Sequence, residues 1–445
     1  MNRKIRLYAA VTLVALFVAG CSGPCDTIKP ITAPAATGGR ADFTTYVALG
    51  TSISAGGQSG GIVETHQACA FPALFAHQIH ASAFTYDRVT PDGILPLLRL
   101  VSLTPLVISN AGQSQGITLD RHQLTPFHNL GVYGSLLYDV TTPARYASPA
   151  CSTYFGMVTR GRGTVLHEAA ESNPSFVSLE YGANEVLGSV LAGLGTPAFS
   201  VGTFTFLLTT TLDSLHTRLP DAKLAIFNVP DVTTIPYVTT IKPFVVVPAT
   251  GDTVWLLCSV DEDHPDGTLN PDDHVLLTAS ASLAAGTGLP TALGGNGNPL
   301  PDAQVLTAGE TAGIQAAVEG YNDAISAAAA AYPSGAALVD LHALFARLAA
   351  RGYDFQGVHY STAFVSGGLF SLDGVHPSDF AHGLIANAMI DAVNAKFGAS
   401  VPVVDLHEVQ HLTPLQARPA AVEGGAAWPR VEGLDQLLKA IPARR

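Results

Sequence analysis

The chain has 445 residues, of which 47% are hydrophobic and 13% are charged, and its formal net charge is −13. This length suffices for one large domain or two of average size, and the low charged fraction is compatible with a large buried core. The sequence contains no stripe of clustered Lys and Arg, which phosphate binding requires. The acidic balance therefore excludes nucleic acid as a partner.

The N-terminus has the pattern of an export signal. Basic residues at positions 3, 4 and 6 precede the apolar run 7–18, which is too short to span a bilayer as a mature helix. The run leads into Val18-Ala19-Gly20-Cys21, which resembles the lipobox of bacterial lipoproteins. We expect a signal peptide over 1–20, cleavage before Cys21, and a lipid on its thiol. An ordinary secretory signal, in which Cys21 is incidental, is the alternative.

No later segment reaches 18 apolar residues, so we expect a lipid-anchored rather than a membrane-spanning protein. Ser22 after the Cys resembles an outer-membrane address in Gram-negative bacteria. Residues 21–42, rich in Pro, Ala, Thr and Gly, then predict a polar tether. The main domain is expected over 43–398, and the tail 399–445 has no assigned role.

Export also bears on the remaining cysteines, which are Cys25, Cys69, Cys151 and Cys258. An oxidising compartment favours one or two disulfides among them, with buried free thiols as the alternative. Four cysteines allow three full pairings, and the sequence does not choose among them.

Apolar segments rich in β-forming residues recur along the domain, with helical patterns between them. The strand-like segments are 46–49, 106–109, 176–181, 224–229 and 337–341, and the helical ones are 70–79, 199–219, 307–332 and 341–351. This alternation predicts an α/β fold in which helices cover both faces of a parallel sheet. Two irregular segments, near 120–165 and 240–305, are expected to be insertions that shape a binding cleft.

Two distant motifs supply the parts of a hydrolytic nucleophile system. Ser52 lies in Gly50-Thr51-Ser52, where the first strand breaks into a turn, and a serine there needs a base to take its proton. Asp373 and His376 stand three residues apart before a helical segment. Asp373 can fix the imidazole tautomer, which leaves the other ring nitrogen of His376 to act on Ser52.

Two further motifs each follow a predicted strand and can stabilise an oxyanion. The loop after 106–109 contains Gly112 and Gly116, and glycine lets a backbone N–H approach a substrate oxygen closely. Asn184 follows 176–179 and can donate its side-chain amide to the same oxygen.

In this order, the four motifs resemble the SGNH/GDSL hydrolase family over roughly residues 43–398. The resemblance implies a three-layer α/β/α sandwich with a central parallel sheet of about five strands. It also implies an esterase or lipase-like hydrolase that cleaves carboxylic esters through an acyl-enzyme, without a metal or other cofactor. The matching residues are Ser52 as nucleophile, Gly116 or Gly112 and Asn184 with Ser52 in the oxyanion hole, His376 as base and Asp373 as acid.

Two positions depart from the family. Thr51 stands where an Asp usually precedes the nucleophile, and the usual glycine of the second motif is displaced by one residue, which leaves Gly116 and Gly112 as competing donors. Gly116 is favoured, because Gly116-Ile117-Thr118-Leu119 matches the family's continuation better. Gly112-Gln113-Ser114-Gln115-Gly116 also fits the nucleophile elbow of α/β-hydrolases, which makes Ser114 an alternative nucleophile. A catalytically silent envelope lipoprotein that binds glycan or lipid is the alternative of another class.

Several properties stay open at the level of sequence. The acidic segment 261–266 fails as a calcium loop, since Pro265 occupies the fifth position of the pattern. Lipid acyl esters, short-chain esters and acetylated sugars all suit the same catalytic parts. The sequence indicates no oligomeric state.

Overall fold

The computed structural model describes residues 36–148, 152–410, 429–432 and 434. The signal peptide, Cys21, Cys25, Cys151 and most of the tail lie outside these residues. Its strands are β1 Tyr46–Gly50, β2 Arg99–Leu103, β3 Leu106–Ser109, β4 Asn129–Gly131, β5 Phe176–Glu180, β6 Lys223–Phe227, β7 Phe244–Val246, β8 Thr253–Trp255, β9 His274–Val275, β10 Val305–Leu306, β11 Ala336–Val339, β12 Tyr353–Phe355, β13 Val358–Tyr360 and β14 Arg430–Val431.

The α-helices are α1 Ser52–Ala55, α2 Glu64–Cys69, α3 Phe71–Gln78, α4 Ser152–Val158, α5 Val165–Glu171, α6 Asn184–Leu191, α7 Val201–Arg218, α8 Pro236–Thr239, α9 Ser280–Ala284, α10 Ala308–Ala331, α11 Leu341–Arg351, α12 Asp379–Phe397 and α13 Leu406–Gln410. Among the described residues, no helix combines the length and apolar character needed to cross a membrane.

A parallel sheet of five strands, in the order β11-β6-β5-β1-β4, forms the centre of the molecule. Strands β1 and β5 are buried along their whole length, as expected for a sheet covered on both faces. Side chains alternate between the faces, so Phe176 of β5 packs against α3 and α12 while Leu179 lies towards α7 and α10. The predicted three-layer α/β/α sandwich is thus confirmed.

Four of the five predicted strand segments belong to this sheet, and the segment 106–109 does not. Strand β3 pairs antiparallel with β2 and parallel with β14 in a separate three-stranded sheet. The place beside β1 is taken by β4, which the sequence pattern left inside an expected insertion at 120–165. A short strand of three residues is below the length at which alternation is readable in sequence.

The segment 240–305 forms the two-stranded ribbons β7–β8 and β9–β10 together with α9. Two of the cysteines lie in described residues. Cys69 is disulfide-bonded, and Cys258 is a buried free thiol. Pairings that include Cys258 are therefore excluded.

Candidate active site

The turn after β1 places a buried serine, Ser52, at the carboxyl end of the sheet. Thr51 is the N-cap of α1, and its side-chain oxygen accepts from the backbone N–H of Ile53. Gly56 ends this single helical turn in the left-handed conformation, with φ of 78°. Ser52 is therefore the first helical residue, held between the end of a buried strand and a capped turn.

The loop before α12 presents a carboxylate and an imidazole. The backbone N–H groups of Val375 and His376 donate to Asp373 Oδ1 at 2.9 Å. The Ser371 hydroxyl donates to the same oxygen at 3.0 Å, and the Gly60 N–H donates to Oδ2 at 2.8 Å. These four donors fix the orientation of a fully buried carboxylate.

Ser52, His376 and Asp373 form one continuous chain of hydrogen bonds. Nε2 of His376 lies 3.0 Å from Ser52 Oγ, and Nδ1 lies 2.8 Å from Asp373 Oδ2. Burial by itself would raise the pKa of Asp373, but the His376 charge and the hydrogen bonds from its ring and backbone lower it to about 2. Because the carboxylate is ionised, Nδ1 carries a proton and donates it, which leaves Nε2 as the acceptor for the Ser52 hydroxyl.

Thr51 stands where the family usually has an Asp, and a buried carboxylate from another strand lies next to it. This carboxylate belongs to Glu180 at the end of β5. Oε2 of Glu180 accepts from the Thr51 N–H at 2.9 Å, from the Thr51 hydroxyl at 2.9 Å and from the Ser54 hydroxyl at 3.0 Å. Burial raises the pKa of Glu180 to about 7, and the hydrogen bonds from Thr51 and Ser54 oppose that rise. An acid thus sits below the nucleophile turn, supplied by the neighbouring strand.

Asn184 begins α6 after β5 and lines the same cavity as Ser52 and His376. Its side chain is 1% exposed, and Nδ2 donates to the Ser135 carbonyl at 2.8 Å. A side-chain amide has two N–H donors, so one remains for another acceptor in the cavity.

The structure does not bring Gly116 to this site. The Gly116 N–H donates to the Gly93 carbonyl at 2.9 Å, and a Cβ at Gly116 would contact Thr90 and Gly93. None of these residues lines the cavity at Ser52. Gly112 follows β3 on the separate small sheet and has open space around it. The prediction of Gly116 or Gly112 failed because segment 106–109 was expected to be a strand of the main sheet. It forms β3 of the separate small sheet, so the loop after it does not lie at the carboxyl edge of the main sheet.

The glycine next to the site is Gly134, in the loop after β4. Its neighbour Ser135 donates to the Gly50 carbonyl at 3.2 Å and accepts from Asn184. Gly134 has φ of 72°, and within the described ranges its N–H has no hydrogen-bond acceptor. A Cβ on Gly131 would lie 2.5 Å from the Ala55 nitrogen, so glycine permits β4 to reach the nucleophile turn.

The sequence contains only a weak signal for Gly134. The segment Asn129-Leu130-Gly131-Val132-Tyr133-Gly134 is a short apolar run that ends in a glycine loop, as the nucleophile motif also is. The strand before this loop, β4, has only three residues, which is too short for a strand pattern to be recognised in the sequence. Glu180 carried no such signal, because a single acid at the end of an apolar strand has many structural explanations.

The alternative nucleophile Ser114 lacks the setting that an elbow requires. It is exposed, it follows β3 of the small sheet, and no helix begins after it before β4. Its hydroxyl has no histidine partner among the residues described. The strand-to-helix turn of the elbow pattern is therefore missing at this position.

The cavity at Ser52 is narrow, with a volume of about 40 Å³, and its walls are mainly apolar. Ile53, Leu187, Ile235, Phe345 and Phe370 line it beside the polar triad. Within the described ranges, no group of three or more His, Cys, Asp or Glu side chains is placed to hold a metal ion.

The structure thus combines a three-layer α/β/α sandwich with a hydrogen-bonded Ser52, His376 and Asp373 at the carboxyl end of its sheet. Residues 46–389 match the family model for GDSL-like lipase/acylhydrolase, and the chain belongs to this family. Membership implies an esterase or lipase-type hydrolase that acts on esters.

Comparison with other proteins adds little to this assignment. No curated protein matches the sequence. A crystal structure of a protein called a GDSL-like lipase, from Parabacteroides merdae ATCC 43184, is 11% identical over 80% of this chain and 99% of that chain. Its TM-score of 0.35 is too low for a detailed structural comparison.

Proposed function

We propose that the protein is a serine esterase that cleaves carboxylic esters through an acyl-enzyme formed on Ser52. The observation that carries the proposal is the hydrogen-bonded chain from Ser52 Oγ through His376 to Asp373, with distances of 3.0 and 2.8 Å. A serine hydroxyl becomes an effective nucleophile when an adjacent base is oriented by a third group.

In the proposed mechanism, Ser52 Oγ attacks the ester carbonyl and its proton passes to His376 Nε2. The imidazolium that forms is stabilised by Asp373, whose lowered pKa keeps it ionised. His376 then protonates the leaving alcohol oxygen, which leaves an acyl ester on Ser52. A water molecule, deprotonated by the same imidazole, attacks that ester, releases the acid and returns the proton to Ser52.

The developing oxyanion needs donors that are already in place. We assign this role to the backbone N–H groups of Ser52 and Gly134 and to the free amide hydrogen of Asn184. Gly134 replaces the sequence-based assignment of Gly116, whose N–H is engaged elsewhere.

Ser52→Ala and Ser114→Ala test the nucleophile against its alternative. Turnover of a p-nitrophenyl ester and labelling by a fluorophosphonate probe should both be lost in Ser52→Ala and kept in Ser114→Ala. The opposite pattern would sink the assignment. If the probe labelled neither the wild type nor either variant, that result would favour the catalytically silent lipoprotein that binds glycan or lipid.

The apolar walls at Ser52 support an ester with an apolar acyl group of limited size. A series of p-nitrophenyl esters of increasing acyl length should therefore peak at short chains, and a maximum at long chains would contradict this preference. The acetyl group of an acetylated sugar meets the same size limit, so acetylated sugars should be assayed alongside this series.

We also propose that the protein is a lipoprotein of the bacterial envelope, anchored through Cys21, and that it is anchored in the outer membrane if the cell is Gram-negative. The support is the lipobox pattern in the sequence. Replacing Cys21 by Ala should move the protein out of the membrane fraction and stop incorporation of a labelled fatty acid. Unchanged membrane association of Cys21→Ala would contradict lipid anchoring.

A further inference from the structure

A second and larger cavity borders the loop that carries Asp373, since Ser371 and Leu372 line it. Its volume is about 390 Å³, nearly ten times that of the cavity at Ser52. Leu97, Leu98, Leu100, Val365 and Leu372 make its walls mainly apolar. A volume of several hundred Å³ with few polar groups is typical of small-molecule sites.

The ionisable side chains that line this cavity are those of Arg99 and His66. Arg99 lines it, and within the described ranges its guanidinium has no carboxylate partner. His66 lines it as well, with Nδ1 3.0 Å from Asp379 and Nε2 without a described partner. Burial disfavours the charged imidazole, but Asp379 raises the pKa of His66 overall. No Asp or Glu is part of the cavity lining.

The cavity wall also holds the catalytic loop in place. Ser59 and Ser371 line the cavity, the Ser59 N–H donates to Ser371 Oγ at 2.8 Å, and Ser371 donates to Asp373. Phe370 lines both this cavity and the one at Ser52. An occupant would therefore contact residues that position the triad acid, without contacting Ser52.

We propose that this cavity is a binding site for a carboxylate with an apolar tail, such as a medium-chain fatty acid. The tail would fill the leucine-lined volume, and the carboxylate would pair with Arg99, whose planar guanidinium matches a carboxylate through two parallel hydrogen bonds. The choice of a carboxylate head group rests on the proposed function, because an esterase releases carboxylates. The length of the tail follows from the volume of this cavity and not from the short acyl chains expected at Ser52. The site is separate from the acyl pocket at Ser52.

The test is calorimetric titration of sodium decanoate into Ser52→Ala protein that begins at residue 22 and retains every described element. Binding is then read without turnover. Leu97→Trp fills the cavity, and Arg99→Gln removes its free charge. Matched controls are Leu124→Trp and Arg121→Gln at exposed positions outside the cavity, and Ile53→Trp, which fills the cavity at position 52 instead.

We expect saturable binding that Leu97→Trp weakens at least tenfold and Arg99→Gln weakens about fivefold, as for a partly exposed ion pair. The three controls should bind as the parent does, and 1-decanol should bind without dependence on Arg99. Circular dichroism establishes folding, and Leu100→Trp serves as a second filling variant.

Three results would overturn the proposal. These are absence of saturable binding, loss of binding in Ile53→Trp with retention in Leu97→Trp, and an equal effect of Arg99→Gln on decanoate and 1-decanol. Failure of the esterase proposal is distinct from all three, since it shows as retained turnover in Ser52→Ala and leaves the titration readable.

Discussion

The carboxylate of Glu180 accepts the backbone N–H of Thr51 at 2.9 Å, and this bond ties the nucleophile turn to the strand beside it. The Thr51 and Ser54 hydroxyls donate to the same group. Three donors around a buried acid leave the turn little freedom, so the position of Ser52 depends on a residue that does not itself line the cavity at Ser52.

Replacing Glu180 by Leu should therefore reduce turnover strongly. The Thr51 N–H and the Ser54 hydroxyl would be buried without an acceptor, at about 1–3 kcal/mol each. A shift of the nucleophile by about 1 Å can cost about 10²-fold in rate. We expect kcat for a p-nitrophenyl ester to fall by about that factor, with KM little changed.

Glu180→Gln is the matched variant for this prediction. Its amide oxygen can take the place of Oε2, and its NH₂ can donate to the Thr51 hydroxyl oxygen. We expect kcat within about threefold of wild type. A leucine variant with undiminished kcat would show that Glu180 does not position Ser52.

Glu180 should also make stability depend on pH. Its folded pKa of about 7 lies above the reference value of 4.5, so the folded state binds the proton more tightly. Its contribution is present below pH 4.5 and is lost as the pH rises through 7, with a magnitude on the order of 3 kcal/mol. The free energy of unfolding of Glu180→Gln should therefore fall less than that of wild type between about pH 5 and 8. Parallel pH profiles from denaturant titrations would contradict the raised pKa.

Four strands of the main sheet, and the residues of the hydrogen-bonded set Ser52, His376 and Asp373, could be predicted from sequence because each depends on a local pattern. Ser52 directly follows an apolar run that forms a buried strand. Asp373 and His376 lie in the same loop, three residues apart, so their contact does not depend on distant parts of the chain. The hydrogen bond between Glu180 and Thr51 could not be predicted, since the two residues are 129 positions apart in the chain. Only the pairing of β5 with β1 brings them together. Gly134 was missed for a related reason, because only the pairing of β4 with β1 brings its loop to the site.

Asn184→Ala should lower kcat by about 10²–10³-fold, the usual loss for one oxyanion donor. Its loss also frees the Ser135 carbonyl, so stability should drop by about 1 kcal/mol. Asn322→Ala is a suitable control, since Asn322 Nδ2 likewise donates to a backbone carbonyl, that of Val229, at 2.9 Å. The control should lose stability and keep kcat. Equal kcat losses in both variants would mean that Asn184 acts only through folding.

Gly134→Ala should mainly lower kcat, whereas Gly116→Ala should mainly lower stability. Comparing the two variants decides which glycine serves the oxyanion hole. At Gly134, with φ of 72°, a Cβ strains the left-handed backbone by about 1 kcal/mol and shifts the peptide whose N–H we assign to the oxyanion hole. We expect kcat to fall about tenfold or more, with a small loss of stability.

At Gly116 a Cβ would lie 2.8 Å from Thr90 Oγ1 and 2.9 Å from the Gly93 nitrogen, which forces a local shift of the loop that contains Thr90 and Gly93. Gly116→Ala should therefore lower the thermal midpoint, while kcat per folded molecule stays at the wild-type value. Steady-state kinetics corrected by active-site titration, together with thermal melts, measure both quantities. A fall of kcat in Gly116→Ala with none in Gly134→Ala would return the oxyanion role to the loop after β3.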